Sequence, residues 1–369
     1  MKIAMFGHKR IPSREGGVEI VVEELSTRMA AMGHEVTCYN RGGHHVSGAE
    51  FDAAGECPGV RLKTVPTVDK KGLAAVSSSF FAAVCCAFGR YDAVHIHAEG
   101  PAFMSWLPKL FGKRVIVTVH GLNWQADKWQ NSFGAKYIYM GEKMAVRFAD
   151  EIIVLSRSIQ QYFADTYGRD TRYIPNGVSR PEVMEAQKIT EDYGLEKDGY
   201  ILFLGRLDPV KGIHYLIEAF REMKTHKKLV IAGGSSDTDD YTAALKEMAA
   251  GDERILFTGF VQGQILEELY SNAYVFVLPS NAEGMPLSLL EAMSYGNCCV
   301  VSDIPECTEP AEDKAVRFSK GDVGALRETL QQLCDCPEET AAYKAGARDF
   351  ICGKYNWDEV IQQTLELYQ

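Results

Sequence analysis

Two glutamates, Glu283 and Glu291, bracket the stretch of the sequence that is best suited to chemistry. They follow the apolar run Tyr274–Leu278, which predicts a strand, and Pro286 is typical of the first turn of a helix that ends at Gly296. Free N–H groups at a helix start favour an anion, and carboxylates beside that anion can accept hydrogen bonds from sugar or ribose hydroxyls. The alternative is an ordinary loop carboxylate followed by a solvated helix residue.

Arg206 and Lys211 are two cations that follow the predicted strand Tyr200–Leu204, separated by a segment that contains Pro209. They could converge on one diphosphate from a loop and a helix start, since paired cations suit a phosphate-bearing ligand. The stretch is not a P-loop, because the glycine spacing differs and no Ser or Thr follows the lysine. On spacing alone, a solvated surface pair explains it equally well.

Gly16 and Gly17 lie between the predicted strand Lys2–Phe6 and the predicted helix Val18–Met32. Glycines there let a ligand approach the backbone, and the helix start offers N–H groups to a phosphate. With Gly7 they do not form the G-x-G-x-x-G pattern, which disfavours NAD. A turn that serves only the backbone is the alternative.

Histidines follow or lie on two further predicted strands. His120 comes directly after Val115–Val119, where it could hydrogen-bond a substrate or help to move a proton, or be structural. His95 and His97 alternate along a strand, so their rings point the same way. A metal site there would need a third ligand that the sequence does not place, and we expect neither a metal nor a cofactor.

These residues require a scaffold of two doubly wound α/β domains. The chain has 369 residues, of which 46% are hydrophobic, and short apolar strands alternate with helical patterns, which predicts parallel sheets. We expect a domain over residues 1–178, a second over 179–355, and a C-terminal helix at 356–368 that packs back on the first. Ligands of open α/β sheets bind outside the carboxyl ends of the strands, here in a cleft between facing domains. The predicted strands of the second half are Tyr200–Leu204, Lys228–Ile231, Arg254–Phe257, Tyr274–Leu278 and Cys298–Val301.

Charge is distributed unevenly along the chain, whose net charge is −11. Residues 1–180 contain 22 lysines and arginines against 17 acidic residues, and the remainder contains 17 against 33. No dense basic stripe exists and the pI is about 5.4, so nucleic acid is not expected as a partner. The basic first half predicts contact with an anionic membrane or a lipid-linked phosphate, or is surface scatter. The amphipathic stretch Pro101–Arg114 either lies on a membrane or faces a core.

Location is predicted from the apolar segments and the cysteines. Met1–Phe6 shows no cleavable signal peptide, and Leu73–Phe88 is short of the roughly 20 residues that cross a bilayer. The ten cysteines form no repeated pair pattern, which indicates reduced thiols. We therefore expect a cytoplasmic protein, with the inner face of the cell membrane as a further location.

In combination, these motifs resemble glycosyltransferase family 4 on a GT-B fold, over almost the whole chain. The matching stretches occur in the family's order. They are Gly16–Gly17, Asp92–His97, His120–Gly121, Ile174–Val178, Gly205–Gly212, Glu283–Glu291 and the helix that carries Trp357.

The resemblance implies transfer of a sugar from a nucleotide-diphosphate sugar, with retention at the anomeric carbon and without a required metal. It implies that Arg206 and Lys211 hold the donor diphosphate, that Glu291 binds the ribose, and that Glu283 holds the transferred sugar. His120 would contact the reacting sugar. Catalysis is thus assigned to His120, Glu283, Arg206 and Lys211. Donor binding is assigned to Gly16, Gly17, Arg206, Lys211, Gly234, Val261, Glu283, Gly284, Met285, Pro286, Leu287 and Glu291.

A closer resemblance concerns the N-terminal half. Residues 10–19 and 120–129 are similar to a bacterial subset that includes rhamnosyltransferases of surface polysaccharides, whereas Glu283–Pro286 is similar to the general family. The acceptor is expected to be a glycan or a lipid-linked hydroxyl compound, met by aromatics such as Trp124 and Trp129. A nucleotide-sugar 2-epimerase and a non-catalytic nucleotide-sugar-binding protein are the alternatives.

Overall fold

The computed structural model describes residues 1–43, 56–68, 70, 72–122, 133–235 and 238–369. Trp124 and Trp129 lie outside the described residues. The chain divides into two compact units. The first comprises Met1–Gly177 and Trp357–Gln369, and the second comprises Val178–Asn356.

Within the described residues, the first unit contains a seven-stranded parallel sheet of order β3-β2-β1-β4-β5-β6-β7. Its central strands, Ala93–His97 and Arg114–Val119, are buried almost throughout, as expected of a sheet covered by helices on both faces. The strands are β1 (Lys2–Phe6), β2 (Glu35–Arg41), β3 (Val60–Val65), β4 (Ala93–His97), β5 (Arg114–Val119), β6 (Glu151–Val154) and β7 (Arg172–Tyr173). The helices between them are α1 (Gly17–Ala31), α2 (Leu73–Phe88), α3 (Glu99–Ala102), α4 (Trp106–Leu110), α5 (Phe133–Phe148) and α6 (Arg157–Tyr167).

The second unit contains a six-stranded parallel sheet of order β10-β9-β8-β11-β12-β13 within the same described ranges. Its strands are β8 (Tyr200–Leu204), β9 (Lys228–Ala232), β10 (Ile255–Gly259), β11 (Val275–Leu278), β12 (Cys298–Ser302) and β13 (Val316–Phe318). Its helices are α7 (Lys188–Tyr193), α8 (Ile213–Arg221), α9 (Asp239–Ala249), α10 (Gln264–Asn272), α11 (Leu287–Ser294), α12 (Pro305–Ala311), α13 (Val323–Asp335), α14 (Pro337–Lys344) and α15 (Ala347–Lys354). The prediction of two doubly wound α/β domains is confirmed.

The C-terminal helix, Trp357–Glu366, belongs to the first unit and packs on α1. The ring of Trp357 lies against Gly177, where an added Cβ would come within 2.5 Å of the indole. Beyond the helix, the hydroxyl of Tyr368 is 2.6 Å from Nδ1 of His95. These contacts tie the end of the chain to the centre of the first sheet.

The structure contains three strands that were not among the predicted elements. β3, β7 and β13 were not predicted, because β3 is an edge strand with mostly exposed side chains and the other two are very short. The amphipathic stretch Pro101–Arg114 contains the end of α3 and the whole of α4. No helix among the described residues is long and apolar enough to span a membrane.

Candidate active site

An ion pair between Lys211 and Glu283 lies at the carboxyl edge of the second sheet. The ammonium Nζ is 2.6 Å from Oε1 and 2.8 Å from Oε2 of the carboxylate. The two side chains are only 15% and 8% exposed. Charge-assisted hydrogen bonds this short and this well shielded from water are strong, so the pair has a defined geometry.

Lys211 is positioned by a single 3-10 turn, Pro209–Lys211, between β8 and α8. The carboxylate of Asp208 caps this turn by accepting a hydrogen bond of 3.2 Å from the Val210 N–H. Gly212 then adopts a φ of +65°, and an added Cβ would lie 2.0 Å from the carbonyl oxygen of Pro279. Only glycine permits this approach, which brings the loop after β8 against the loop after β11.

Glu283 is held from its other side by Ser280, which is completely buried. The Ser280 hydroxyl donates a hydrogen bond of 2.6 Å to Oε1 of Glu283. Cys307 of α12 lies close to the pair, and burial together with the Glu283 charge raises the pKa of its thiol well above the usual range. Oε1 of Glu283 thus accepts two hydrogen bonds, one from Ser280 and one from Lys211, which fixes the side chain.

Glu291 lies in α11 and belongs to a separate set of contacts. Its Oε2 accepts a hydrogen bond of 3.2 Å from the hydroxyl of Tyr270, whose ring stacks on Tyr295 at 5.3 Å. The helix begins at Leu287 with Pro286 as its N-cap residue, and the side chain of this proline provides no hydrogen bond to the first N–H groups. Glu283, Gly284 and Met285 lead directly into this helix start, where an anion is favoured.

The remaining predicted donor residues of this unit follow neighbouring strands. Arg206 is exposed in the loop after β8. The Leu207 N–H, next to it, donates a hydrogen bond of 3.0 Å to the carbonyl oxygen of Gly234, which follows β9. Val261 follows β10 and is nearly buried. The loops after three adjacent strands therefore meet at one edge, as parallel strands require.

In the first unit, Gly16 is the N-cap of α1, and Gly17 is the helix's first residue. The carboxylate of Glu19 occupies the space beside Gly16, where an added Cβ would lie 2.6 Å from Oε2. The same carboxylate accepts a hydrogen bond of 2.8 Å from the Lys9 N–H. The glycines thus leave room for Glu19 to fold back over the loop after β1.

Histidines form a buried cluster at the carboxyl ends of β4 and β5. Nδ1 of His97 is 3.1 Å from Nε2 of His120, and the rings of His95 and His97 have centroids 4.1 Å apart. Burial lowers the pKa of His120 to about 4 and that of His95 to about 3, with a smaller contribution from His120 to the latter. The pKa of His97 is well below its usual value for the same reason. These imidazoles are therefore neutral near neutral pH.

Comparison with known proteins decides the family. The family model described as Glycosyltransferase Family 4 matches residues 15–180, and the model described as Glycosyl transferases group 1 matches residues 185–350. The structure of a sucrose-phosphate synthase from Thermosynechococcus elongatus has a TM-score of 0.83, covers 100% of this chain and 98% of its own, and is 22% identical. The chain belongs to the GT-B glycosyltransferases.

Two further relatives agree with this assignment. An uncharacterized glycosyltransferase, MJ1607 of Methanocaldococcus jannaschii, is 24% identical over 100% of this chain and 98% of its own length. The structure of Anabaena Alr3699/HepE in complex with UDP-glucose has a TM-score of 0.81, is 17% identical and covers 99% of this chain and 98% of that one. These identities are low, so the structural likeness shows the fold.

Two residues that hydrogen-bond the glutamates of the candidate site were not predicted from the sequence of this glycosyltransferase. Ser280 and Tyr270 were missed, although Ser280 closely follows the predicted strand and lies three residues before Glu283, which is a local signal. Tyr270 lies 21 residues from Glu291, and its contact depends on how α10 packs beside α11. Among the described residues, no group of three or more His, Cys, Asp or Glu side chains is arranged to hold a metal ion.

Proposed function

We propose that this GT-B glycosyltransferase moves a hexose-type sugar from a nucleotide-diphosphate sugar to a hydroxyl of a glycan or lipid-linked acceptor. The observation that carries the proposal is the Lys211–Glu283 pair beside the start of α11. It places a fixed cation, a carboxylate and the N–H groups of a helix start together, which suits a ligand that carries both a diphosphate and sugar hydroxyls. Bacterial polysaccharide or glycoconjugate biosynthesis is the proposed context.

The donor is proposed to divide its contacts between two kinds of group. Lys211 and the exposed Arg206 hold the diphosphate and stabilise the charge that develops as it leaves. Glu283, with the backbone of Gly284–Leu287, accepts hydrogen bonds from the transferred sugar, and Glu291 binds the ribose. Gly234 and Val261 follow the neighbouring strands and are proposed to contact the base, largely through backbone.

The first unit is proposed to supply Gly17 to the phosphates and His120 to the reacting sugar. The proposed reaction retains the anomeric configuration. The bond from the anomeric carbon to the diphosphate oxygen breaks, the acceptor oxygen bonds to that carbon on the same face, and the departing phosphate oxygen takes the acceptor's proton. Both Ser280 and Lys211 engage Glu283, which supports hydroxyl binding over attack as a nucleophile. Arg206, Lys211 and the helix start supply the positive charge, so we expect activity without an added metal.

Peripheral contact with an anionic membrane is proposed for the first unit. Phe88 and Leu110 are 71% and 70% exposed, and the ring of Phe88 lies 4.7 Å from that of Phe111. Exposed aromatic and aliphatic side chains on short amphipathic elements are typical of surfaces that enter a headgroup region. The likeness of the N-terminal half to rhamnosyltransferases stays a prediction about the sugar.

The test is donor turnover by the full-length chain. UDP-glucose is the first probe because the Anabaena neighbour is a complex with it. Other nucleotide sugars follow, with UDP release measured alone and with polyprenyl-phosphate sugars and oligosaccharides as acceptors. We expect Lys211→Ala and Glu283→Ala each to lower turnover by about 100-fold or more, because the first removes a fixed cation at the leaving group and the second removes the carboxylate that holds the transferred sugar.

Lys344→Ala is the matched control. Its ammonium forms an ion pair of 2.5 Å with Asp198, before the amino end of β8 and so away from the carboxyl edge of the sheet. It should leave turnover unchanged. If Lys211→Ala and Glu283→Ala were as active as this control, the site would be wrong. Formation of an epimer from donor alone would favour a 2-epimerase, and binding without turnover of any donor would favour a non-catalytic protein.

A further inference from the structure

His97 is the last residue of β4, and its imidazole is completely buried. β4 pairs with β5 in parallel, with His97 opposite Thr118, so His120 follows two residues beyond the paired position. Nδ1 of His97 is 3.1 Å from Nε2 of His120. This is hydrogen-bond distance between two ring nitrogens, and the two sheet strands determine it.

His97 is clamped in this orientation. Gly7, at φ +114°, approaches so closely that an added Cβ would lie 2.0 Å from the His97 carbonyl oxygen. The ring of His95 packs against the His97 ring at 4.1 Å, and His95 is itself held by Thr118 Oγ1 at 2.7 Å and by the Tyr368 hydroxyl. Gly7 thus fixes the backbone of His97, and His95 fixes its ring, so the ring holds one orientation and presents Nδ1 to His120.

The position of one proton follows from burial. Burial lowers the pKa of both rings, so each is neutral and carries one N–H. Nε2 of His97 is buried and has no hydrogen-bond partner within the described part of the chain. If His120 donated through Nε2, the His97 proton would lie on that buried Nε2 as an orphaned donor, at a cost of about 1–3 kcal/mol. The opposite arrangement, with His97 Nδ1–H donating to His120 Nε2, leaves no orphaned N–H on His97.

We infer that His97 is a positioning residue that holds His120 in the tautomer protonated on Nδ1. His120 then offers a ligand an N–H donor, and its basic nitrogen is occupied by His97. This inference rests on the proposed function, in which His120 contacts the reacting sugar. It also gives a reason for the proposed fate of the acceptor's proton, because His120 has no free basic nitrogen to accept it.

The tautomer is measured directly by ¹⁵N NMR of the full-length protein labelled at histidine. The His120 signals are those that disappear in His120→Gln. We expect a protonated Nδ1 and an unprotonated Nε2 for His120 in the native chain, and a shift towards the other tautomer in His97→Phe. Ser105→Ala removes a buried hydroxyl of the first unit that donates its hydrogen bond to the Met144 carbonyl oxygen, and it should keep the native tautomer. A native His120 protonated on Nε2 would overturn the inference.

Turnover gives a second, independent reading. His97→Phe should lower kcat on the order of 10- to 100-fold, short of the about 100- to 1,000-fold loss that removal of a preorganised donor causes. The donor KM should change by less than about 2-fold, since binding groups of the second unit are untouched. His97→Gln offers an amide N–H to His120 and should recover most of the kcat. Equal loss in both variants, or none in His97→Phe, would contradict a positioning role.

The contact of His120 with the sugar and the positioning role of His97 are tested separately. If His120→Ala kept full turnover, the proposed contact of His120 with the sugar would be wrong, whereas the NMR result would still decide the tautomer. If His120→Ala lost turnover and His97→Phe did not, the proposed function would stand and the positioning role of His97 would fall.

Discussion

Replacement of Lys211 by Met tests whether the ion pair at the site is a strong, shielded interaction. Removing one partner of a buried pair costs about 3–5 kcal/mol, because the other charge stays buried. The Glu283 side chain is 8% exposed and keeps its hydrogen bond from Ser280, which reduces the free-energy cost of leaving its charge unpaired. We therefore expect Lys211→Met to lower the free energy of unfolding by about 3 kcal/mol.

The pair is isolated by a double-mutant cycle. Glu283→Gln should cost about 2 kcal/mol, since the lysine is left without its carboxylate. The double variant should cost about 2.5 kcal/mol, because two neutral side chains of similar volume replace two charges. Independent effects would instead add up to about 5 kcal/mol, so the expected coupling is about 2.5 kcal/mol.

The assay is urea unfolding of the full-length chain, followed by far-UV circular dichroism and by tryptophan fluorescence in parallel. The second unit, Val178–Asn356, contains no tryptophan, so a loss in this unit should move the dichroism transition more than the fluorescence transition. The control cycle replaces Lys344 by Met and Asp198 by Asn, whose side chains are 28% and 45% exposed. It should show a coupling below about 1 kcal/mol.

Effects at Lys211 and Glu283 that are additive within about 0.5 kcal/mol would refute a strong ion pair, since contacting charges should couple. Stabilisation by a bound ligand tests whether Lys211 also contacts the diphosphate. UDP at 100 times its Kd should stabilise the native chain by about 2.7 kcal/mol and should stabilise Lys211→Met much less. Equal stabilisation of both chains would remove Lys211 from the diphosphate contact while leaving its stabilising role intact.

Two further predictions follow from the geometry. Gly212→Ala should lower the melting temperature, and the rise in melting temperature caused by UDP, more than Gly194→Ala does. Both glycines have left-handed backbones, but only at Gly212 would an added Cβ press against a carbonyl oxygen, that of Pro279. Equal losses in the two variants, measured by thermal shift, would contradict the close approach. Stability should also fall on acidification, because the folded-state pKa values of His95 and His120, about 3 and 4, lie below the unfolded value of about 6.5. Between pH 6.5 and 4 the unfolded chain binds protons that the folded chain does not, which costs up to about 1.4 kcal/mol per pH unit for each histidine. Urea unfolding at pH 7, 6 and 5 checks this, and His95→Gln should reduce the slope; a slope unchanged by that substitution would refute it.

Much of the fold could be predicted because its signals are local. β8 was predicted with its observed ends, since Tyr200–Leu204 is a continuous apolar run bounded by glycines. α1 was predicted over Val18–Met32 and is observed over Gly17–Ala31. β3 was missed because most side chains of this edge strand are exposed, so apolar and polar residues do not alternate along it. It can be recognised as a strand only from its pairing with β2.

The candidate site was predictable in its residue types but not in its contacts. Strand ends placed Lys211, Glu283 and His120 where ligands bind in α/β sheets, since each follows an apolar run. Nothing local indicates that Lys211 bonds Glu283, which lies 72 residues away, because that contact depends on β8 pairing with β11.

The sequence by itself determined two α/β units, and it set the order of the candidate residues along them. The spacing of apolar residues, and the glycines and prolines that end helices and strands, act over a few residues, so they can be recognised without a structure. Only the tertiary structure decided that Ser280 holds Glu283, that Tyr270 holds Glu291, and that His97 faces His120. Those contacts depend on helix packing, on the course of loops, and on the pairing and register of strands distant in sequence. Such features also decide which nitrogen of a buried ring carries its proton.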